Sequence, residues 1–145
     1  MSFGYSMSDF ILCIQLAQKV LHEYRQAPQD FQAATTDVAG LQLVLSNVRD
    51  AVNGSGLSQD KQQDLQMLLS GCSDTLKELL QVLERFKSLA TSSHRRWEKM
   101  RWDKDRVERI RLRIVSTVGL LTTFKVELLR SVILSASTVS SDSTI

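Results

Sequence analysis

Much of what marks an enzyme or a secreted protein is missing from this sequence of 145 residues. Its two cysteines, Cys13 and Cys72, have no spacing typical of a disulfide framework or a zinc site, so we expect buried thiols in a reducing compartment. The motifs GxxxxGK, GxGxxG, HExxH, GxSxG and CxxC are all absent. Neither histidine, His22 or His94, is accompanied by residues that would make it a catalytic base. We therefore expect no enzymatic activity, no metal site and no cofactor.

Proline, net charge and an N-terminal leader pattern are also scarce. Pro28 is the only proline, and it fits the first turn of a helix while disfavouring helical geometry at Ala27. The first seven residues carry no Lys or Arg, and the apolar run behind them is short and leads into Lys19, so a standard secretory signal is not predicted. Because the net charge is only +2, any electrostatic preference for a partner must come from local clustering.

What the sequence does contain is the three–four spacing of apolar residues that one face of an α-helix requires. This spacing predicts helices from Ser8 to about Gln26, from about Pro28 to Val52, from Ser58 to about Ala90 and from Asp103 to Leu134. Ser58 is of a residue type that commonly caps the N-terminus of a helix. A short tryptophan-containing connector helix is expected before the last one. We predict an all-α, antiparallel bundle of four main helices over residues 1–134, followed by a flexible Ser/Thr-rich tail at 135–145. Gly71 lies inside the third helix, where we expect close packing against a neighbour.

The first helix has more apolar surface than a single core face needs. Ile11, Leu12 and Leu16 lie off its core face, and a helix that is apolar nearly all round is either enclosed by other helices or able to meet lipid. Polar residues such as Lys19 make a solitary membrane span costly. We expect burial in the bundle at rest, and release toward a membrane or into an assembly of copies on activation. The residues expected to target the membrane are Phe10, Ile11, Leu12, Ile14, Leu16, Ala17, Val20 and Leu21.

A basic stretch interleaved with two tryptophans follows the third helix. Between His94 and Arg113 there are nine basic and four acidic residues, which leaves +5. The candidate basic and aromatic patch consists of Arg95, Arg96, Trp97, Lys99, Arg101, Trp102 and Lys104. Such a patch can bind anionic lipid headgroups, with tryptophan at the interface, or it can bind nucleic acid phosphates. The remaining interpretation is a solvated helix face with local ion pairs, in which the tryptophans plug the end of the core.

Three segments of the chain resemble the fungal HeLo-like domain: FGYSMSDFILCIQLAQKV, YRQAPQDFQAATTDVAGLQLVLSNV and WEKMRWDKDRVERIRLRIVSTVGLLTTF. That domain is found at the N-terminus of fungal NOD-like (STAND) receptors, and the likeness extends over roughly residues 3 to 130. Its members are helical bundles that act as cell-death effectors. They are similar to the HeLo domain of fungal incompatibility proteins and to the four-helix bundle of the necroptosis executioner pseudokinase.

The resemblance implies regulated oligomerisation, membrane targeting and permeabilisation, with the helix from Phe10 to Leu21 as the active element. It implies a cytoplasmic protein that relocates to the plasma membrane on activation. The implied partners are other copies of the chain, anionic membrane lipids, and a C-terminal or separate NLR or amyloid signalling partner, whereas nucleic acid is not expected. Because Gln15, Gln18 and Lys19 make this helix less apolar than a simple membrane insert, a non-lytic oligomerisation or adaptor module is the alternative function. The chain is then either an excised N-terminal domain of a receptor or a short stand-alone protein.

Overall fold

A computed structural model of the chain describes residues 7–25, 29–54, 56–89 and 96–142, with side chains described at 7–25, 31–54, 56–85 and 104–134. Four helices make up nearly all of these residues: α1 (Met7–Glu23), α2 (Gln29–Asn53), α3 (Gln59–Leu89) and α4 (Arg96–Asp142). No strand occurs within the described ranges. The predicted all-α helical bundle is confirmed.

Local chemistry explains where α2 ends and where α3 begins. The backbone N–H of Gly54 donates to the carbonyl oxygen of Asp50 at 3.2 Å and closes the last turn of α2. The hydroxyl of Ser58 accepts a hydrogen bond from the backbone N–H of Lys61 at 3.3 Å, which is the N-cap interaction predicted from the sequence. Leu57 is partly buried and packs against the core just before this cap, as a hydrophobic staple residue does.

The long helix α4 differs most from expectation. The separate connector helix is not confirmed, because residues 96–102 form the first turns of α4 itself. The sequence between Arg96 and Val118 contains neither proline nor glycine, so nothing in it interrupts a helix. At its other end α4 continues to Asp142, so its helical backbone includes residues 135–142 of the segment for which the sequence predicts a flexible tail. The domain boundary at residue 134 stays a prediction.

The four helices form a square in which each packs against two others. α1 contacts α2 and α3, and α4 contacts the other flanks of the same two helices, so that α1 and α4 lie on one diagonal of the described bundle. α1 and α3 run in the same direction, because the Cys13 thiol donates to the carbonyl oxygen of Leu69 at 3.3 Å while Tyr24 lies near Glu84. α3 and α4 run antiparallel.

The antiparallel pairing of α3 and α4 is fixed by ion pairs at different heights of the bundle. Lys61 Nζ lies 2.6 Å from a carboxylate oxygen of Glu127, near the start of α3. Further along α3, Glu78 meets Arg106 and Arg113 of α4. This pairing fixes the height of each residue along the bundle axis, so positions on different helices can be compared.

The core is formed by one row of aliphatic and aromatic side chains from each helix. Its largest fully buried members are Phe10, Phe31, Leu41, Leu45, Leu65, Leu69, Leu76, Leu79, Leu83, Ile110, Ile114 and Leu121. Val132, which continues the core row of α4 in the sequence, is 43% exposed because α4 extends beyond the start of α3 after Leu128. The expectation for Gly71 is wrong: a Cβ there would meet nothing within 4 Å in the described part of the chain.

Candidate functional site

The structure divides the eight predicted membrane-targeting residues of α1 into two sets. Phe10, Ile14, Ala17 and Val20 are buried in the core, and Leu16 and Leu21 are partly buried against it. Ile11 and Leu12 are 47% and 40% exposed. The expectation that the other helices conceal all the excess apolar surface is therefore wrong for these two residues.

The number of neighbours of α1 explains this division. Within the described bundle α1 packs against α2 and α3 alone, so only the sector facing those two helices is covered. Successive residues on a helix are about 100° apart, which carries Ile11 and Leu12 out of the sector that contains Phe10. The start of α1 consequently presents an aliphatic surface while its opposite face anchors it.

A small cavity of about 170 Å³ opens beside Leu12, between α1 and α3. Its lining residues are Asp9, Leu12, Gln66, Leu69, Ser70 and Ser73. The Ser73 hydroxyl donates to the carbonyl oxygen of Ser70 at 3.0 Å, as a serine in a helix interior commonly does. A polar cavity of this size suits a few water molecules rather than an acyl chain, and it assembles no nucleophile with a base.

The two cysteines lie together where α1 meets α3, and both are buried free thiols. The contact with Cys13, together with burial, raises the pKa of the Cys72 thiol. A thiol whose pKa is raised stays protonated at neutral pH and is a poor nucleophile. The prediction of buried thiols is confirmed, and the pair packs as part of the core.

The basic and aromatic patch falls at the beginning of α4. Arg95 lies outside the described residues, and residues 96–102 are described only as helical backbone. Of the seven predicted members, Lys104 is the one whose side chain is described, and it is exposed. The remaining members of the patch stay predictions.

Further along α4, three basic residues are used to hold the bundle together. Arg111 Nε donates to Asp37 of α2 at 2.8 Å, and this hydrogen bond raises the pKa of Arg111. Hydrogen bonds from Arg113 and Arg106 lower the pKa of Glu78 on α3. The interpretation of the basic stretch as a helix face with ion pairs therefore holds for these three residues.

The structure does not bring the apolar start of α1 and the basic patch into one surface. Leu12 lies at the level of α3 residues 66–73, and Gly71 and Thr75 share a second cavity with α4 residues 112–117. Lys104 is about 12 residues nearer the start of α4, which corresponds to roughly 18 Å along the bundle axis. The two elements also belong to helices on opposite corners of the square.

Sequence reasoning missed an apolar groove between α3 and α4. Met67 is 75% exposed and Leu120 is 55% exposed, and both line a cavity of about 410 Å³. The Phe124 ring forms part of its lining, and Lys61 Nζ lies 5.7 Å from the ring centroid, within the range of a cation–π contact. The signal was present in the sequence as adjacent apolar residues, Leu120 with Leu121 for example, which one helix face cannot bury together.

Two further features are absent from the part of the chain that the structure describes. None of its helices combines the length and the apolar character needed to cross a bilayer. The same residues contain no group of three or more His, Cys, Asp or Glu side chains that could hold a metal ion.

A model of a known protein family matches most of the chain. The SesA model, described as an N-terminal domain on NACHT_NTPase and P-loop NTPases, matches residues 8–121. This range runs from the start of α1 to the middle of α4, so it includes nearly all of α1, the whole of α2 and α3, and most of the core. No curated protein and no solved structure matches the chain.

Proposed function

The chain belongs to the SesA family, whose members are N-terminal domains on NACHT and P-loop NTPases, and we propose from this membership that it is an effector and signalling domain of an NLR-like protein. In this proposal the NTPase part of the protein responds to a signal and oligomerises, and the helical bundle then carries out the effector function. No enzymatic step of the bundle itself forms part of this proposal.

The finer proposal is a cell-death effector of the fungal HeLo-like type, which acts at a membrane after oligomerisation. The observation that carries it is the exposed aliphatic pair Ile11 and Leu12 at the start of α1. The domain is cytoplasmic at rest and relocates to the plasma membrane when it is activated. Anionic lipids and other copies of the chain are the partners.

The energetics explain why activation involves clustering. Two half-exposed aliphatic side chains contribute roughly 2 kcal/mol of lipid contact per copy, too little to hold a single copy on a membrane. Several copies joined together bind as a unit, because each contact after the first is intramolecular and gains from a high effective concentration. A monomer therefore stays in solution while an oligomer binds.

The free energy gained by burying the core face of α1 limits how readily this helix can leave the bundle. Phe10, Ile14 and Val20, together with the smaller residues of the buried face, stabilise the packed helix by roughly 5–10 kcal/mol. That range is comparable to the whole stability of a typical domain, about 5–15 kcal/mol. Initial membrane contact therefore uses the exposed face of α1 in place, and full release follows only where many copies share the cost.

Vesicles that contain phosphatidylserine and an entrapped dye test this proposal. The chain is assayed alone and as a fusion to a trimeric coiled coil at its C-terminus, by co-sedimentation and by dye release. The trimer should bind and release dye, and Leu12→Lys in the trimer should abolish both. Leu43→Lys is the matched control, because Leu43 is also an exposed aliphatic residue (64%) but lies on α2. A trimer that neither binds nor releases dye, at any lipid concentration, would reject the membrane function.

The alternative is a non-lytic interaction module that joins copies or docks a partner helix. The complete burial of Phe10 and Ala17 favours this alternative, because these side chains then pack α1 into the bundle and do not contact lipid. This alternative predicts that the trimeric fusion associates further or binds a partner protein but does not bind vesicles. A third candidate, nucleic acid binding by the basic patch, predicts an affinity for DNA that falls steeply with salt and is absent on lipid.

A further inference from the structure

α4 carries a second row of apolar and small residues on the side that faces away from the core. We call this row the outer seam, and its members are Leu112, Val115, Gly119, Thr122, Val126, Leu129 and Ile133. All seven are exposed, and the five large aliphatic side chains among them are 44–67% exposed. Such a row has no function in the core of this bundle.

The spacing of the outer seam is that of a helix prepared to pack against another helix. Its members are separated alternately by three and four residues over three heptads. This pattern keeps one stripe facing a partner helix along the whole contact, as the a and d positions of a coiled coil do. Within the part of the chain that the structure describes, no helix covers the stripe.

The order of residues along the seam points to its occupant. We propose that the outer seam is the contact between two copies of this chain, packed antiparallel about Thr122. The seam is nearly symmetric about this residue, since its members lie 3, 7 and 10 residues before Thr122 and 4, 7 and 11 residues after it, so an antiparallel copy sets Leu112 against Ile133 and Gly119 against Val126. A Cβ at Gly119 would meet nothing within 4 Å of the described chain, which leaves room for the valine of the second copy.

The charges beside the seam select the antiparallel orientation. Lys125 and Arg130 flank the row, and a parallel pair of helices would set each Lys125 beside Arg130 of the other copy. The antiparallel pair sets Lys125 beside Val118 and Arg130 beside Ser116, so no like charges meet. Glu127 does not offset the parallel clash, because it is already paired with Lys61.

The size of the seam predicts a weak dimer. From Leu112 to Ile133 the helix is about 32 Å long and the apolar stripe is about 10 Å wide. The contact area given by this length and width is well below the roughly 800 Å² that each partner of a stable interface buries. The dimer should therefore form at high protein concentration, or when another module holds copies together.

Sedimentation analysis in lipid-free buffer over a wide concentration range tests the seam independently of the membrane function. The wild-type chain should associate reversibly to a dimer. Val126→Lys should raise the dissociation constant by at least about tenfold, whereas Leu120→Lys should change it by less than about twofold. The two residues are a matched pair, since both lie on α4 with similar exposure (59% and 55%), but Leu120 faces the groove beside α3. Equal helical circular dichroism of the two variants confirms that both fold.

Cross-linking under mild oxidation tests the orientation. Leu112→Cys copies mixed with Ile133→Cys copies should form mixed dimers faster than either variant cross-links with itself. Faster self-cross-linking of Leu112→Cys would show a parallel pair and overturn the orientation. A wild-type chain that stays monomeric at every concentration would overturn the interface. Loss of vesicle binding by Val126→Lys without any wild-type dimer would also overturn it, and would assign the seam to lipid instead.

Discussion

The two ends of the bundle differ in how many large hydrophobic side chains they expose among the described residues. One end, which we call the apolar end, contains the starts of α1 and α3 and the second half of α4. Exposed there are Ile11, Leu12, Met67, Leu120, Val126 and four aliphatic side chains of α4 from Leu129 to Leu134. The other end, the basic end, contains the start of α4. The described side chains of residues 13–25, 31–42, 68–85 and 104–111 include no exposed large hydrophobic residue.

This difference changes how the sequence should be interpreted. The sequence offers the apolar first helix and the basic tryptophan stretch as two elements that could bind a membrane, but the fold places them roughly 18 Å apart along the bundle axis. A flat membrane that touches the apolar end therefore does not have to touch the basic end. The basic stretch then serves another contact, or comes into use only after the copies have been arranged by the apolar end.

The largest expected effect separates the buried face of α1 from its exposed face. Phe10 is completely buried, so Phe10→Ala should lower the free energy of unfolding by about 3–5 kcal/mol. Ile11→Ala, one residue away and 47% exposed, should change it by less than about 1 kcal/mol. Urea denaturation followed by circular dichroism measures both. Similar losses for the two variants would show that the exposed face is also packed.

The next effect compares the two ends directly. In the trimeric fusion, the double variant Ile11→Lys with Leu12→Lys should weaken vesicle binding by at least about tenfold, because it removes the aliphatic contact of every copy. Reversing the charge at the basic end with Lys104→Glu should weaken binding by less than about threefold, since a charge roughly 18 Å from the apolar contact lies beyond the Debye length of about 8–10 Å and is largely screened. Co-sedimentation at fixed salt gives both values. The opposite ranking would transfer the lipid contact to the basic end.

A smaller effect tests whether the stability of the bundle can be changed without changing its binding to vesicles. Gly71 lies within α3 on the exposed side with open space around it, so Gly71→Ala should raise the free energy of unfolding by about 1 kcal/mol. It touches neither end, so vesicle binding by the trimer should stay unchanged. Thermal denaturation measures the first quantity and co-sedimentation the second. A change in lipid binding would mean that the bundle must loosen in order to bind.

The smallest effect concerns the ion pairs that join α3 to α4. Hydrogen bonds from Arg113 and Arg106 lower the pKa of Glu78, so its stabilising contribution is present above the pKa of an unfolded glutamate and is lost as pH falls through the lowered value. Glu78→Gln should cost about 0.5 kcal/mol at pH 7, since these side chains are partly exposed. The difference from wild type should shrink as pH falls and vanish once Glu78 is protonated in the folded chain. Urea denaturation at a series of pH values from neutral into acid measures it, and a difference that stays constant over the series would exclude the ion pair as the cause.

Much of the fold followed from periodicity alone. The three–four spacing predicted four helices and the buried row of each, from Phe10 in α1 to Leu128 in α4, and the Ser58 cap was predicted from residue type. The continuous start of α4 was not predicted, although the sequence lacks any helix breaker there. The exposure of Val132 could not be predicted, because it depends on how far α4 extends past its neighbours.

The candidate site was predicted less completely, for a geometric reason. Periodicity assigns a residue to a face of its own helix but does not count the helices around it. Ile11 and Leu12 would be buried in a helix with three neighbours, and they are exposed because α1 packs against two in the described bundle. The outer seam was missed for the same reason, because the inner row of α4 already satisfied the pattern for a helix.

Site-specific fluorescence at the two ends tests the central claim most directly, namely that the exposed face of α1 meets the membrane while its buried face stays packed. An environment-sensitive dye is attached through Leu12→Cys or through Lys104→Cys in the trimeric fusion, the two native cysteines being buried. On addition of anionic vesicles, the dye at position 12 should brighten and shift to the blue, and the dye at position 104 should not. An unchanged signal at position 12, with or without a change at position 104, would contradict the account.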